Sequence, residues 1–304
     1  MTKTAVIALG GNAILRPGQR GTLDEQQANI AAACGPIAEV VRQGYQVVLS
    51  HGNGPQVGNI LIQNEEARFV VPAMPLDVCG AQSQGMIGYL FQQELQRLTG
   101  RQAVSLVTQV VVDPADPAFA DPSKPVGPFY TPDKANQMIT RHGWTMKEDA
   151  GRGWRRVVPS PIPVRVVEAE AIRALVIACG GGGVPVMETD NGLRGVEAVI
   201  DKDLAAQRLA GEMKADLLVI LTDVPRVYIR FGLPDQTALT QVTVSEAEKY
   251  LAEGHFRAGS MRAKVEGAVQ FVKAGGQRAV IAALDQAAEA ILGSAGTHFV
   301  PDPQ

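Results

Sequence analysis

Val47-Val48-Leu49-Ser50-His51-Gly52-Asn53-Gly54-Pro55-Gln56-Val57-Gly58 decides how this chain folds. A β-branched apolar run feeds directly into two glycines flanking an asparagine, and a helical pattern follows. The order is strand, bare-backbone turn, helix N-terminus. Such a turn presents N–H groups beside the positive end of a helix dipole, which suits an anion, phosphate above all. Nearly the same wording stands at the start of the chain, where Ala5–Leu9 runs into Gly10-Gly11-Asn12-Ala13. A third version is Val176–Cys179 followed by Gly180-Gly181-Gly182-Gly183. Three glycine-tipped strand ends point to one shared site.

Outward from these tips the elements alternate. Thr4–Leu9 is continuously apolar and reads as a strand buried on both faces. Thr22 with Glu25 forms a capping box for a helix that runs towards Arg42 and stops at Gly44. Gln46–Ser50 is the second buried strand. Strand, helix, parallel strand implies right-handed crossovers in a doubly covered sheet. Helices follow over Pro55–Arg68 and from Asp77 to about Leu98, and then one long strand, or two with a bend, over Ala103–Val112. A helix over Glu168–Leu175 leads into the strand at Val176. Pro185–Glu188 and Gly195–Ile200 flank Asn191-Gly192 as a hairpin with a type I′ turn. Further helices are expected at Lys202–Met213, from Thr243 to Gly254 with a Thr243/Glu246 capping box, and at Met261–Ala274. The remaining strands are Asp216–Leu221, Val227–Ile229, Arg278–Ala283 and His298–Val300. In fold class this is an α/β chain built on a mainly parallel open sheet.

Between Asp113 and Arg165 the composition changes. Nine of the 19 prolines fall there, among Lys124, Lys134, Arg141, Lys147, Arg152, Arg155, Arg156 and Arg165. Hydrophobic periodicity is weak. The segment reads as a basic, proline-stiffened insertion of residues 113–165, a protruding subdomain over the sheet of one 304-residue domain. A composition 46% hydrophobic and 19% charged can build a large core, and a net charge of −3 gives no general attraction for nucleic acid or an acidic membrane surface. No signal-peptide pattern or bilayer-length apolar run occurs. Cys34, Cys79 and Cys179 lack CxxC spacing, which reads as reduced thiols in a cytoplasmic protein.

The chemistry follows from the strand ends. In an open parallel sheet, ligands bind beyond the carboxyl ends of the strands, where Gly10, Gly11, Gly52, Gly54, Gly180 and Gly181 would stand. Neither a Walker A lysine nor a GxGxxG fingerprint is present. Other cations must therefore neutralise a transferring phosphoryl group. Lys202, in Ile200-Asp201-Lys202-Asp203, and Lys264, in Gly259-Ser260-Met261-Arg262-Ala263-Lys264, each open a helix. Asp203 could orient a lysine; the plainer reading is that Asp201 caps the helix and its neighbours are solvated. Lys124 could reach in from the insertion or lie on the surface. His51 could be a general base or a histidine held for structure. His142, His255 and His298 show no metal-ligand spacing, and no nucleophile triad can be assembled.

In this order, Ala8-Leu9-Gly10-Gly11-Asn12-Ala13, Ser50–Gly58, Lys124-Pro125-Val126-Gly127-Pro128-Phe129, Lys147–Pro161, Cys179–Pro185, Gly195–Asp203 and Gly259–Lys264 resemble the carbamate kinases of the amino acid kinase family. The resemblance runs from end to end. It implies a three-layer α/β/α sandwich, a homodimer, and reversible phosphoryl transfer in which ADP and carbamoyl phosphate give ATP and carbamate with Mg2+. Its partners would be small molecules, with no nucleic acid and no membrane. By matching motif, Gly10, Gly11, Asn12, Gly52, Asn53 and Gly54 would hold carbamate and the transferred group. Lys202 and Lys264 would meet the nucleotide phosphates, Asp203 would organise both lysines, and Lys124 would reach in from the insertion. Gly180, Gly181, Thr222, Asp223, Val227, Tyr228 and Met261 would form the nucleotide side. The family pattern differs at three places: Leu175 passes into Val176 without the usual longer connection, and Ala258 and Ala263 stand where prolines are usual. A same-fold kinase for N-acetylglutamate or UMP, and a nucleotide-binding regulator without catalysis, are the rival readings; a nicotinamide-dependent oxidoreductase lacks its fingerprint.

Overall fold

Alternate residues of the first strand, Thr4–Leu9, face two different cores. Val6 and Ala8 pack with Val48, Leu218 and Ile220 against Ala205, Ala206 and Leu209 of helix Lys202–Glu212 and Val265, Ala268 and Phe271 of helix Met261–Lys273. Ala5, Ile7 and Leu9 pack with Val47, Leu49 and Val219 against helices Leu23–Arg42, Leu76–Thr99 and Ala287–Leu292. A strand apolar on both faces has to be covered on both, which makes the three-layer α/β/α sandwich. The structure, a computed structural model, describes residues 3–16, 18–148, 153–172, 176–256 and 261–303.

Among the described residues the main sheet has eight strands, in the spatial order Gln241–Thr243, Thr297–Val300, Arg278–Ala283, Leu217–Thr222, Thr4–Leu9, Gln46–His51, Val176–Ile177 and Val104–Ser105. All neighbours pair parallel except Arg278–Ala283 with Thr297–Val300. The strands ending at Leu9, His51 and Ile177 are therefore adjacent and finish on one edge. That register brings the three glycine tips together. Both capping boxes form, Thr22 with Glu25 and Thr243 with Glu246, and Gly44 takes the left-handed φ of 89° after the first helix.

Ala103–Val112 takes the two-strand form, as Val104–Ser105 in the main sheet and Gln109–Val112 in a second sheet of four strands. Three other expectations change. The helix expected over Glu168–Leu175 is only a 3-10 turn at Ala169–Ala171, with Ile172 extended; 173–175 lie outside the described residues. This stretch carries the chain from strand Pro163–Val166 of the second sheet back to the main sheet. A helix advances only about 1.5 Å per residue against about 3.3 Å when extended, so the connection overrides the local preference. The hairpin forms between Val184–Thr189 and Gly192–Gly195, with Thr189 opposite Gly192. Its turn is not type I′, because neither Asp190 nor Asn191 has positive φ and only Gly192 does, at 100°. The second strand is Gly192–Gly195 and not Gly195–Ile200, so only Gly195 is common to the two.

Within 113–165 the chain forms a separate three-stranded antiparallel sheet, Lys124–Tyr130, Trp154–Val158 and Met146–Glu148, with helix Pro132–His142. Val126 and Val158 pack on Val57 of helix Gly54–Ala67 and on Leu76 and Cys79. This small apolar seam seats the segment above the strand tips.

Leu49 is fully buried in the strand between Thr4–Leu9 and Val176–Ile177. Leu49→Ala is expected to lower unfolding free energy by about 2–5 kcal/mol in urea titration; a loss below about 1 kcal/mol would contradict this packing.

Candidate active site

The ladder continues one residue past each of the first two strands. Gly52 N–H donates to Leu9 O at 3.1 Å and Gly10 N–H to Leu221 O at 3.1 Å. There the chains turn away, and the backbones come close: a Cβ on Gly52 would lie 3.1 Å from both Cα and N of Gly11. The loop at Gly180–Gly183 is tighter still. Cys179 is left-handed at φ 51°, and Gly181, Gly182 and Gly183 follow at 64°, 95° and 85°. A Cβ on Gly180 would sit 2.5 Å from His51 Nε2, and one on Gly181 would sit 2.1 Å from Asn53 Nδ2. Only glycine fits there.

These tips floor a cavity of about 360 Å3, lined by Gly10, Gly11, Gly52, Asn53, Gly54 and Gly181 on one side. Thr222, Asp223, Lys264, Lys202, Asp203 and Asp201 close another side, and Lys124, Pro125 and Val126 cover it. Two helix N-termini open onto it, at Gly54 and Lys202, each adding partial positive charge.

Asp203 is the centre of the charges. Its Oδ1 accepts from Lys202 Nζ at 2.7 Å and its Oδ2 from Lys264 Nζ at 2.7 Å. The carboxylate is only 2% exposed. Burial pushes its pKa up, but the two ammonium groups outweigh that and hold it below the usual carboxylate range. Burial pulls Lys202 below the usual lysine value, with Asp203 opposing. One anion shared by two cations leaves the trio with a surplus positive charge facing the cavity. Asp201 caps the same helix, accepting Asp203 N–H at 2.9 Å on Oδ1 and Lys124 Nζ at 3.2 Å on Oδ2. The covering segment is tied down elsewhere by Arg156 to Glu197 and by Arg68 to His142 Nε2 at 2.7 Å.

His51 lies beneath this floor. It is buried and stacked on Phe91 at 5.9 Å, with Nδ1 2.9 Å from Gly52 O. Burial lowers its pKa to about 4. It is a neutral ring that props the turn, and the structural reading of His51 holds.

The sequence matches the Amino acid kinase family over residues 3–283. The chain belongs to the amino acid kinase family. It is 52% identical to the carbamate kinase of Pyrococcus horikoshii, covering 99% of this chain and 100% of that protein. To the carbamate kinase of Trichomonas vaginalis it is 49% identical, over 98% and 99%. The solved carbamate kinase from Giardia lamblia bound to AMP-PNP superposes with a TM-score of 0.94 at 44% identity, covering 99% of each chain.

In this amino acid kinase the cavity gathers Gly10, Gly11, Gly52, Asn53, Gly54, Gly181, Lys124, Lys202, Asp203, Thr222, Asp223 and Lys264. Asn12 lies in the 3-10 turn Gly11–Ala13 beside it. Gly180 sits below the lining. Val227, Tyr228 and Met261 stand apart from the cavity wall: Val227 N–H donates to Thr297 Oγ1, Tyr228 lies 6.0 Å from the Phe231 ring, and Met261 begins its helix against the core. Ala258 lies outside the described residues, as do Gly259 and Ser260 of the lysine motif. Sequence reasoning missed Ser83, whose Oγ takes Asn53 Nδ2–H at 2.7 Å, and the pairing of Asp201 with Lys124. Ser83 carries no local signal, since it looks like any polar residue on a helix.

The His51 ring is expected to titrate near pH 4 by NMR, and a midpoint at 6–7 would contradict its burial. Because the folded value lies below the unfolded value of about 6.5, its contribution is full above that pH and is lost as pH falls towards 4, by about 3 kcal/mol in all.

Proposed function

We propose that this chain is a carbamate kinase, catalysing reversible phosphoryl transfer between carbamoyl phosphate and ADP. The observation that carries the reading is Asp203 holding the Lys202 and Lys264 ammonium groups together at a cavity floored by glycine backbone. A terminal β-phosphate oxygen of ADP attacks the phosphorus of carbamoyl phosphate in line. The bond from phosphorus to the carbamate oxygen breaks, and carbamate leaves with that electron pair. Three equatorial oxygens carry the charge in flight, so positioning and neutralisation do most of the work. Lys202 and Lys264 meet that charge from the nucleotide side. Lys124 meets it from the covering segment, exchanging Asp201 for phosphate. Backbone N–H groups of Gly11 and Asn53, with the helix N-terminus at Gly54, hold the small substrate, while those of Gly10 and Gly52 stay in the strand ladder. No side chain has to act as nucleophile, which agrees with a buried neutral His51.

The same reading places the nucleotide against Thr222 and Asp223, with Val227, Tyr228 and Met261 further along that side. Among the described residues no group of three acidic, histidine or cysteine side chains could cage a metal ion. Mg2+ keeps waters and binds mainly through substrate phosphates, and Asp201 and Asp223, which line the cavity, are the carboxylates within reach of such a complex. Mg2+ bound in this way would neutralise phosphate charge. Residues 113–165 act as a subdomain covering the site, in a cytoplasmic homodimer. Phe69, Val70, Met86 and Tyr89 are exposed apolar side chains of the kind that such a dimer would cover.

Purified protein is expected to form ATP from ADP and carbamoyl phosphate in a coupled assay, and Lys202→Ala to lower kcat by roughly 100-fold or more. Folded wild-type protein that makes no ATP would sink the proposal. Asp203→Asn is expected to impair turnover comparably, because the amide carries no charge and keeps an acceptor for only one of the two lysines.

A further inference from the structure

The four-glycine loop poses a physical problem that its own bonds do not solve. Glycine loses more backbone freedom on ordering than any other residue, and this loop has four in a row. Within it, Gly182 N–H bonds Cys179 O and Gly183 N–H bonds Gly180 O, each at 3.0 Å. Those bonds shape the loop without fixing it to the sheet.

One residue outside the loop holds both of its ends. Thr108 Oγ1 accepts Cys179 N–H at 2.9 Å, just before the glycines. Thr108 O accepts Val184 N–H at 2.8 Å, just after them. Thr108 is fully buried and lies between the main-sheet strand Val104–Ser105 and Gln109–Val112 of the second sheet. Gln84, on helix Leu76–Thr99, grips its peptide groups in turn: Oε1 accepts Thr108 N–H at 2.9 Å and Nε2 donates to Thr108 O at 3.2 Å. Gln84 is itself buried, and its Cγ lies 3.2 Å from where a Gly180 Cβ would stand. The Thr108 hydroxyl proton is spent on Leu106 O at 3.0 Å, so its oxygen is aimed at Cys179 N–H.

We propose that Thr108, held by Gln84, is a positioning residue for phosphoryl transfer, acting through the Gly180–Gly183 loop. The inference rests on the phosphoryl-transfer reading of this cavity, of which Gly181 is part of the wall. Gly181 packs on the Asn53 side chain, so a shift of the loop is passed to the Asn53 turn. Thr108 touches no substrate. It sets where the loop backbone stands when charge develops.

The test uses the full chain with Thr108→Val, which keeps the shape and removes the acceptor, and Thr108→Ser, which keeps the acceptor. Thr108→Val is expected to lower kcat roughly tenfold or more while KM for ADP stays within about twofold, since misplacement of a catalytic wall costs turnover before nucleotide affinity. Thr108→Ser is expected to retain most of the wild-type kcat. Hydrogen exchange of the peptide covering 179–184 is expected to quicken in Thr108→Val and not in Thr108→Ser. A Thr108→Val enzyme with wild-type kcat, or equal losses in both variants, would overturn the proposal. If Thr108→Val fails to fold, Gln84→Met is measured in its place: the same fall in kcat at constant KM supports the proposal, and an unchanged kcat overturns it. Absence of ATP formation by the wild type would instead remove the phosphoryl-transfer reading, while the exchange data still decide whether Thr108 clamps the loop.

Discussion

Two ammonium groups can be held at the edge of one cavity only if something offsets their mutual repulsion, and Asp203 does so. Its two oxygens are divided between Lys202 and Lys264, each at 2.7 Å. Removing a buried carboxylate from water is costly, and a pair of charged hydrogen bonds is what makes it tolerable. The surrounding architecture meets that requirement. Helix Lys202–Glu212 begins at Asp201, which caps it, so Lys202 and Asp203 stand in its first turn. Helix Met261–Lys273 packs beside it in the same apolar layer and carries Lys264 in its own first turn. Two helix starts side by side, over the ends of parallel strands, place both ammonium groups on the wall of one cavity.

Much of this was legible in the chain itself. Apolar runs ending in glycine gave the three adjacent strand tips, because a strand buried on both faces has a distinctive composition and a tight exit needs glycine. Thr22/Glu25 and Thr243/Glu246 marked helix starts, since capping boxes are local chemistry. Lys202 stood out for the same reason. Its partnership through Asp203 with Lys264 came only from the family resemblance, because 61 residues separate the bonded pair and no local signal joins them. The clamp of Thr108 on Cys179, 71 residues away, was hidden likewise.

Local signals also misled where the tertiary path took precedence. Residues 168–175 read as good helix formers, yet the described part, 168–172, leads away from the second sheet, and Glu168 spends its carboxylate on Gln109 N–H and Nε2–H. Asn191-Gly192 suggested a primed turn, but the glycine serves one position later, at the first strand residue after the bend. Helix Pro132–His142 escaped notice because it is polar overall, with only Ala135 and Met138 buried on it. Its start is nonetheless written in Thr131-Pro132, a cap followed by a proline at the first helical position.

The insertion and the glycine loops act on the same small volume from opposite sides. Lys124 arrives on a strand seated by Val126 and Val158 against Val57, so its approach depends on apolar packing as much as on charge. If Asp203 makes Lys202 and Lys264 act as one unit, a double-mutant cycle on kcat/KM for ATP formation with Asp203→Asn and Lys264→Met will reveal it. The expected result is strong non-additivity, with the double variant little worse than either single one. Losses that simply add would contradict it.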